Sequence, residues 1–269
     1  MAEFLTYRHE MAVATEIARE AGVIMLQYFD GDQEETAKAD GSALTIADTT
    51  INKVALERLG EAFPNDGVIG EEASSVDTSQ SRRWYCDPID GTKGYTWGLP
   101  LPMFSLGLAE EGQPVMGVAY DPFFGEQGRL YTGIPGEGSF CNDKLLRVSP
   151  AGLHMGRVAV TSSVQRLAER TPKHVTTLLE HGARVASFPA GVVQKACLVA
   201  NGRMVGCIQE FASPHDIAAV RIIVEEAGGR MTDWNGDEPS LKGPMKGVII
   251  SNGVIHDELV DMTDVLEAA

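Results

Sequence analysis

The chain has 269 residues, 43% of them hydrophobic and 22% charged, an ordinary globular balance with enough apolar material for a sizeable core. Its 38 acidic residues outweigh 22 basic ones, and the resulting net charge of −16 argues against binding to nucleic acid or to an anionic membrane surface. No apolar run reaches membrane-spanning length, and Cys86, Cys141, Cys197 and Cys207 are scattered without zinc spacing, so they read as reduced core thiols of a cytoplasmic protein.

Met11, Ala14, Ile17, Ala18, Ala21, Ile24 and Met25 fall on one stripe and predict a helix from about Arg8 to Tyr28. Gly31 to Gly41 reads as a loop. Thr45 then caps a second helix over about Ile46 to Phe63, with Ile51, Val54, Leu56 and Leu59 as its apolar contacts. A short strand, Val68-Ile69, runs straight into Gly70-Glu71-Glu72. The polar stretch Ala73 to Arg82 reads as a flexible surface loop, and Arg83 to Cys86 as a buried strand ending at Asp87. Met103 to Leu108 and Val115 to Tyr120, joined by Glu111-Gly112-Gln113, predict an antiparallel hairpin, with further strands at Arg129 to Thr132 and Gly138 to Cys141.

After Pro150-Ala151-Gly152 the order changes. Strands at Val158 to Thr161, Arg184 to Phe188 and Met204 to Ile208 alternate with helices at about Pro172 to His181 and Gly191 to Asn201. A helix from Asp216 to the Gly228-Gly229 stop and a strand at Val248 to Ser251 follow. The pattern predicts an α+β lobe over 1–150 and an α/β lobe over 151–269, packed as one unit with the site between them.

The densest chemical signal is Asp87-Pro88-Ile89-Asp90-Gly91-Thr92 at the end of an apolar strand. Pro88 fixes its own φ and bends the chain, so both carboxylates can converge, while Gly91 permits a tight turn whose amides can face an anion. Converging carboxylates repel unless protonated or bridged by cations, and oxygen-only donors favour hard cations. A solvated turn built from aspartates is the competing reading. Glu71 and Glu72 also follow a strand directly, and Asp216 stands at a helix start that capping alone would explain. The three features together favour the metal reading.

These segments resemble a known family. GEE at Gly70 to Glu72, WYCDPIDGT at Trp84 to Thr92, and HDIAA with EEAGG at His215 to Gly229 look like the signature set of the inositol monophosphatase-like, lithium-sensitive phosphatases. GVAYDP (Gly117 to Pro122), GEGSFCND (Gly136 to Asp143) and SNG (Ser251 to Gly253) extend the resemblance over nearly the whole chain. It implies a layered sugar-phosphatase fold of two packed lobes. It also implies hydrolysis of a small phosphorylated metabolite by metal-activated water, with two or three Mg²⁺ ions, Mn²⁺ being an alternative. Glu71, Asp87 and the Ile89 carbonyl would hold the first ion, with Asp87 bridging to a second on Asp90 and Asp216. Thr92 and Glu71 would orient the water, the amides of Gly91 and Thr92 would hold phosphate, and Asp48 would support the water or a third ion, with Lys38 nearby. A homodimer and inhibition by Li⁺ are further implications.

Three departures bear on specificity. His215 stands where the family usually has tryptophan, and reads as a packing substitution, or as a contact to substrate or a side chain that orients a neighbouring site residue. Gln209 occupies the position of a glutamate that binds a ring hydroxyl in inositol-preferring members. Gly191 opens its helix without the usual Gly-Ser pair, although its amides can receive an anion. Gly191, Lys195 and the DGTKG run around Lys93 resemble the branch that cleaves 3′-phosphoadenosine 5′-phosphate, whereas GLPLP after Tyr95 resembles the inositol or histidinol-phosphate branches. Taken alone, Lys93 and Lys195 read as surface charges. Fructose 1,6-bisphosphate is a further candidate substrate, and a non-catalytic scaffold of the same fold is the rival from another functional class.

Overall fold

The computed structural model describes residues 7–29, 31, 36–37, 43–75, 80–160 and 173–264. The predicted first helix is α1 (Arg8–Phe29), and its expected stripe is the buried one. The stretch read as a loop contains the short strand β1 (Thr36–Ala37), which pairs antiparallel with β2 (Ala43–Leu44) just beyond it. Thr45 then caps α2 (Ile46–Ala62), which turns Ile51, Ala55 and Leu59 inward.

The first sheet has eight strands: β3 (Gly67–Gly70), β4 (Ser74–Ser75), β5 (Arg82–Asp90), β6 (Met103–Glu110), β7 (Gln113–Asp121), β8 (Arg129–Ile134), β9 (Gly138–Cys141) and β10 (Lys144–Leu145). They lie in the order β10-β9-β8-β7-β6-β5-β3-β4, with β3–β5 the parallel neighbour pair. A five-residue helix, α3 (Thr92–Thr96), follows β5. The reading of Ala73 to Arg82 as a flexible loop needs correction at both ends. Ser74 and Ser75 pair with β3, and Arg82 opens β5 with its guanidinium on Glu10, Asp66 and Glu110 at 2.6, 2.9 and 3.2 Å. Those three carboxylates are why a residue read as loop is pinned.

The second sheet is mixed. Its strands are β11 (Arg157–Val160), β12 (Arg184–Ala186), β13 (Gly206–Ala212), β14 (Arg230–Asp233) and β15 (Met245–Ser251), in the order β12-β11-β13-β15-β14. The β12-β11-β13 part is parallel, as helix–strand alternation requires, and β15 runs antiparallel to both its neighbours. The accompanying helices are α4 (Lys173–Glu180), α5 (Val192–Ala200), α6 (Pro214–Glu226) and α7 (His256–Asp264). Sequence periodicity misses β14 and α7. β14 is only four residues long, and α7 commits few apolar side chains to the core, Leu259 and Met262 among them.

Side-chain packing sorts these elements into five layers. Helices α1 and α2 cover one face of the first sheet through Ile17, Met25, Ile51 and Leu59 against Trp84, Phe104, Leu106 and Val118. Helices α5 and α6 lie between the sheets, where Val193, Ala196, Ala218 and Val224 meet Tyr85 and Met103 on one side and Cys207 and Ile250 on the other. Helices α4 and α7 close the outer face through Leu178, Leu259 and Met262 against Val158, Ile208 and Ile249. Helix α6 comes unusually close to the first sheet because a Cβ on Gly117 would overlap the Ala219 backbone. That close approach fixes where the start of α6 reaches the end of β5. Among the described residues no helix is long and apolar enough to cross a membrane.

Candidate active site

In a regular strand, residues three apart face opposite ways. Asp87 and Asp90 escape that rule because β5 slips register between them: Asp87 pairs with Ser105 but Asp90 with Met103. Pro88, which has no N–H for the ladder, sits inside the slip, and the extra residue turns both aspartates to the same side. Both are buried. The Ile89 N–H donates to Asp87 Oδ1 at 3.0 Å, and the Thr92 hydroxyl donates to the Ile89 carbonyl at 3.0 Å or to Asp48 Oδ1 at 3.4 Å.

Glu71 reaches this point through the sheet. β3 runs parallel to β5 with Gly70 opposite Cys86, and the Glu71 N–H donates to the Cys86 carbonyl at 3.0 Å. Asp48 arrives from α2, where its Oδ2 accepts from the Thr45 amide at 2.8 Å and the Thr45 hydroxyl at 2.6 Å. Asp216 arrives from α6, where its Oδ2 accepts from the Ser213 amide at 2.6 Å.

Asp90 is held from the other side. The Val192 amide donates to its Oδ1 at 3.0 Å and the Val193 amide to its Oδ2 at 2.8 Å, so the start of α5 grips the carboxylate with both of these N–H groups. Gly191 is required there, because a Cβ would overlap the Asp90 carboxyl group. Two of the amides that the sequence offers to an external anion are thus engaged by Asp90. Lys195, read alone as a surface charge, is instead 2% exposed, and its Nζ donates to Gln209 Oε1 at 3.0 Å. The Gln209 amide in turn donates to the carbonyls of Glu210 and Phe211 at 3.2 and 3.4 Å. The apolar neighbours of Lys195 in VVQKACLVA were the signal for its burial. Lys93 is exposed and lies 4.9 Å from the centre of the Trp97 ring.

Crowding shows in the acidities. Burial, then Glu71, Asp90, Asp216 and Asp48, push Asp87 well above the usual carboxylate range. Burial and Asp216 raise Asp90 to about 7 against the pull of Lys195 and the two α5 amides. Burial raises Asp48 to about 6 although its bonds to Thr45 oppose the shift. Protons or cations must neutralise such a group, and a set of carboxylate oxygens suits a hard divalent ion.

Two donor sets converge. One oxygen each from Asp87, Asp90 and Asp216 lie within 4.8 Å of one another, and so do donor atoms of Glu71, Asp87 and His215. Asp87 is common to both, as a bridging carboxylate must be. The structure therefore brings together Asp87, Asp90 and Asp216, places Glu71 beside Asp87, and sets Thr92 between Ile89 and Asp48. It puts Gln209 on Lys195. Lys38 lies outside the described residues. Sequence reasoning missed the α5 amides on Asp90 and the donor position of His215.

The inositol monophosphatase family model matches residues 7–265. The chain belongs to the inositol monophosphatase family. Its chemistry is accordingly phosphate monoester hydrolysis, and the family is metal-dependent. Over 252 residues it is 31% identical to a histidinol-phosphatase of Chlorobaculum parvum, covering 93% of this chain and 95% of that one. Over 257 residues it is 30% identical to inositol monophosphatase 3 of Solanum lycopersicum, covering 92% and 94%. Among solved structures, the IMPase of Thermotoga maritima superposes with a TM-score of 0.85 at 26% identity, covering 98% of this chain and 99% of that one. The layered fold expected from the sequence is the fold of these relatives.

Proposed function

We propose that this family member hydrolyses a small phosphate monoester with Mg²⁺ held by Glu71, Asp87, the Ile89 carbonyl, Asp90 and Asp216. The observation that carries this is the convergence of the Asp87, Asp90 and Asp216 oxygens within 4.8 Å, from a strand end and a helix start far apart in sequence. Buried carboxylates so close, with Asp87 and Asp90 both raised, are a fit for divalent cations. Ions bound there supply Lewis-acid charge to the phosphoryl group and make water acidic enough to ionise near neutral pH.

The chain's own residues do the positioning. The Thr92 hydroxyl has one hydrogen bond to donate, and Asp48 or the Ile89 carbonyl accepts it. Its lone pairs then accept a hydrogen bond from the attacking water, which turns the water's own lone pair towards phosphorus. Glu71 accepts the water's other hydrogen bond and takes that proton as the water attacks. The amides of Gly91 and Thr92 hold phosphate oxygens, and Asp48 supports the water or a third ion. The α5 amides fix Asp90 before substrate arrives, so little reorganisation is needed.

The substrate is a phosphorylated polyol or amino alcohol. Gln209 favours this over inositol phosphate alone, since its amide is neutral and tied to Lys195 and two carbonyls. The names of relatives near 30% identity span histidinol-phosphatase and inositol monophosphatase, in keeping with either class. The four cysteines are free and three are buried, which suits a reducing cytoplasm. Residues 1–150 and 151–269 act as one unit, as the shared α5–α6 layer suggests, and the working form is a homodimer inhibited by Li⁺. The test is phosphate release from inositol 1-phosphate, histidinol phosphate, fructose 1,6-bisphosphate and 3′-phosphoadenosine 5′-phosphate, with Mg²⁺ or EDTA. Turnover of one of the four that EDTA removes is the expected result. Equal release in EDTA overturns the metal reading.

A further inference from the structure

The residue before Asp216 is an imidazole, and the fold puts it to use. His215 and Asp216 are consecutive in the first turn of α6. Consecutive helix residues point about 100° apart, so one helix start serves two places at once. Asp216 joins Asp87 and Asp90, while a ring nitrogen of His215 joins Glu71 and Asp87 within 4.8 Å. The His215 side chain is 17% exposed. Its Nε2 stands 3.7 Å from Asp216 Oδ1, beyond hydrogen-bonding distance.

We propose that His215 is a nitrogen ligand in the Glu71–Asp87 ion site, so that this site binds a first-row transition-metal ion such as Mn²⁺ more tightly than it binds Mg²⁺. The inference rests on reading the carboxylate cluster as a divalent-ion site. Its chemistry follows from donor type. Mg²⁺ takes oxygen donors and gives up water reluctantly, whereas imidazole strengthens binding progressively along the first-row divalent series. The Asp87–Asp90–Asp216 set has oxygen donors only and lacks the added nitrogen that would favour a transition-metal ion. The two sites of one cluster therefore differ in selectivity, and the difference comes from one side chain.

The test uses the full-length protein, stripped with chelator and given less than one equivalent of Mn²⁺. Electron spin-echo envelope spectroscopy of the bound Mn²⁺ is read for nitrogen coupling, on protein with natural histidine and on protein labelled with ¹⁵N-histidine. The expected result is a ¹⁴N coupling that becomes ¹⁵N on labelling and disappears in His215→Phe. The ratio of Mn²⁺ to Mg²⁺ affinity by calorimetry falls at least about tenfold in that variant, since even residues that merely orient a ligand are typically worth 10–100-fold. Bound Mn²⁺ without nitrogen coupling, or a coupling that survives in His215→Phe, overturns the role of His215 while leaving the metal site standing. Absence of any Mn²⁺ binding overturns both. Should His215→Phe fail to fold, the labelled wild-type protein decides alone.

Discussion

Helix α2 starts at Thr45 with Asp48 three residues on, and α6 starts at Ser213 with Asp216 in the same place. Each pair forms a capping box, and in each the Oδ2 atom of the aspartate accepts from the amide of the capping residue. That leaves Oδ1 to face the site. Asp48 Oδ1 meets the Thr92 hydroxyl at 3.4 Å, and Asp216 Oδ1 lies 3.7 Å from His215. A common stabilising motif thus aims two carboxylates at one point from two sides. The difference lies in the second contact. Asp48 is fully buried and also takes the Thr45 hydroxyl at 2.6 Å, whereas Asp216 keeps 20% side-chain exposure and joins a donor set with Asp87 and Asp90. The first aspartate is built into the scaffold, and the second is presented to a ligand.

The largest effect that could break this comparison is loss of Asp216 against loss of Asp48. Asp216→Asn keeps a capping oxygen but removes a charge from the cluster. Turnover is expected to fall by about 10²–10³-fold or more, the scale of a lost transition-state contact. The thermal stabilisation by Mg²⁺ disappears with it. Asp48→Asn is expected to lower turnover while retaining the Mg²⁺-induced shift in Tm. A retained shift in Asp216→Asn, or a lost one in Asp48→Asn, would reverse the two assignments.

A third helix start sharpens the contrast through pH. α7 opens on His256, whose ring is buried between the hydroxyls of Ser251 at 2.8 Å and Thr232 at 3.0 Å. Burial, then the nearby Arg230, lower its pKa to about 4. An unfolded histidine titrates near 6.5, so between pH 6.5 and 4 the unfolded chain binds the extra proton. The stabilisation is complete above pH 6.5 and is lost as pH falls towards 4, by about 3 kcal/mol at most. The difference in urea-unfolding free energy between wild type and His256→Gln should show that limb from pH 7 to pH 4, since the raised carboxylates of Asp48 and Asp90 oppose it equally in both proteins. His174, also buried and lowered to about 4, adds a parallel loss that His256→Gln leaves in place.

Smaller effects separate the two boxes at their capping residues. Thr45→Ala removes a hydroxyl bonded to Asp48 and should cost ~1–2 kcal/mol by thermal or urea unfolding. Ser213→Ala leaves intact the amide that holds Asp216 and should cost about 1 kcal/mol or less, with turnover nearly unchanged. A large turnover loss in Ser213→Ala would mean that the serine hydroxyl, not the amide, aims Asp216.

What could be read in the sequence follows the range of the interactions. Thr45 with Asp48, and the DPIDGT turn, are local patterns whose chemistry is complete within a few residues, and both are legible there. The convergence of Asp216 on Asp87 depends on α6 lying against a glycine-lined sheet at Gly117, which no local pattern encodes; only resemblance brought the two together beforehand. The α5 grip on Asp90 is less legible still, because it uses backbone amides of Val192 and Val193, whose side chains say nothing about it. Lys195 misled for the opposite reason: its charge dominated the reading of a residue whose neighbours are apolar. Arg82 misled likewise, since the carboxylates of Glu10, Asp66 and Glu110 that bind it are remote in sequence.

The smallest effect concerns the approach to the α6 box. Phe211 has φ +58, a left-handed conformation that an aromatic residue rarely adopts, and its side chain is 62% exposed. It stands two residues before Ser213, so within about 7 Å of chain reach of the amide that holds Asp216. Such strain costs on the order of 1 kcal/mol or more, and the exposed ring recovers little of it by burial. Phe211→Gly relieves the strain but adds flexibility to the unfolded chain, so the net gain should be at most about 1 kcal/mol. If Phe211 serves only the backbone, the variant is slightly more stable and turns over normally. If the strain is kept because the ring borders the substrate, the same gain in stability comes with a raised KM and an unchanged kcat. The α2 start provides the control: the described residues with left-handed φ other than glycine are Glu111, Asn142, Asp143, Met155 and Phe211, and none adjoins Thr45. A stability loss in Phe211→Gly would show that the ring packs more firmly than its exposure indicates, and would move the strain at this box from function to structure.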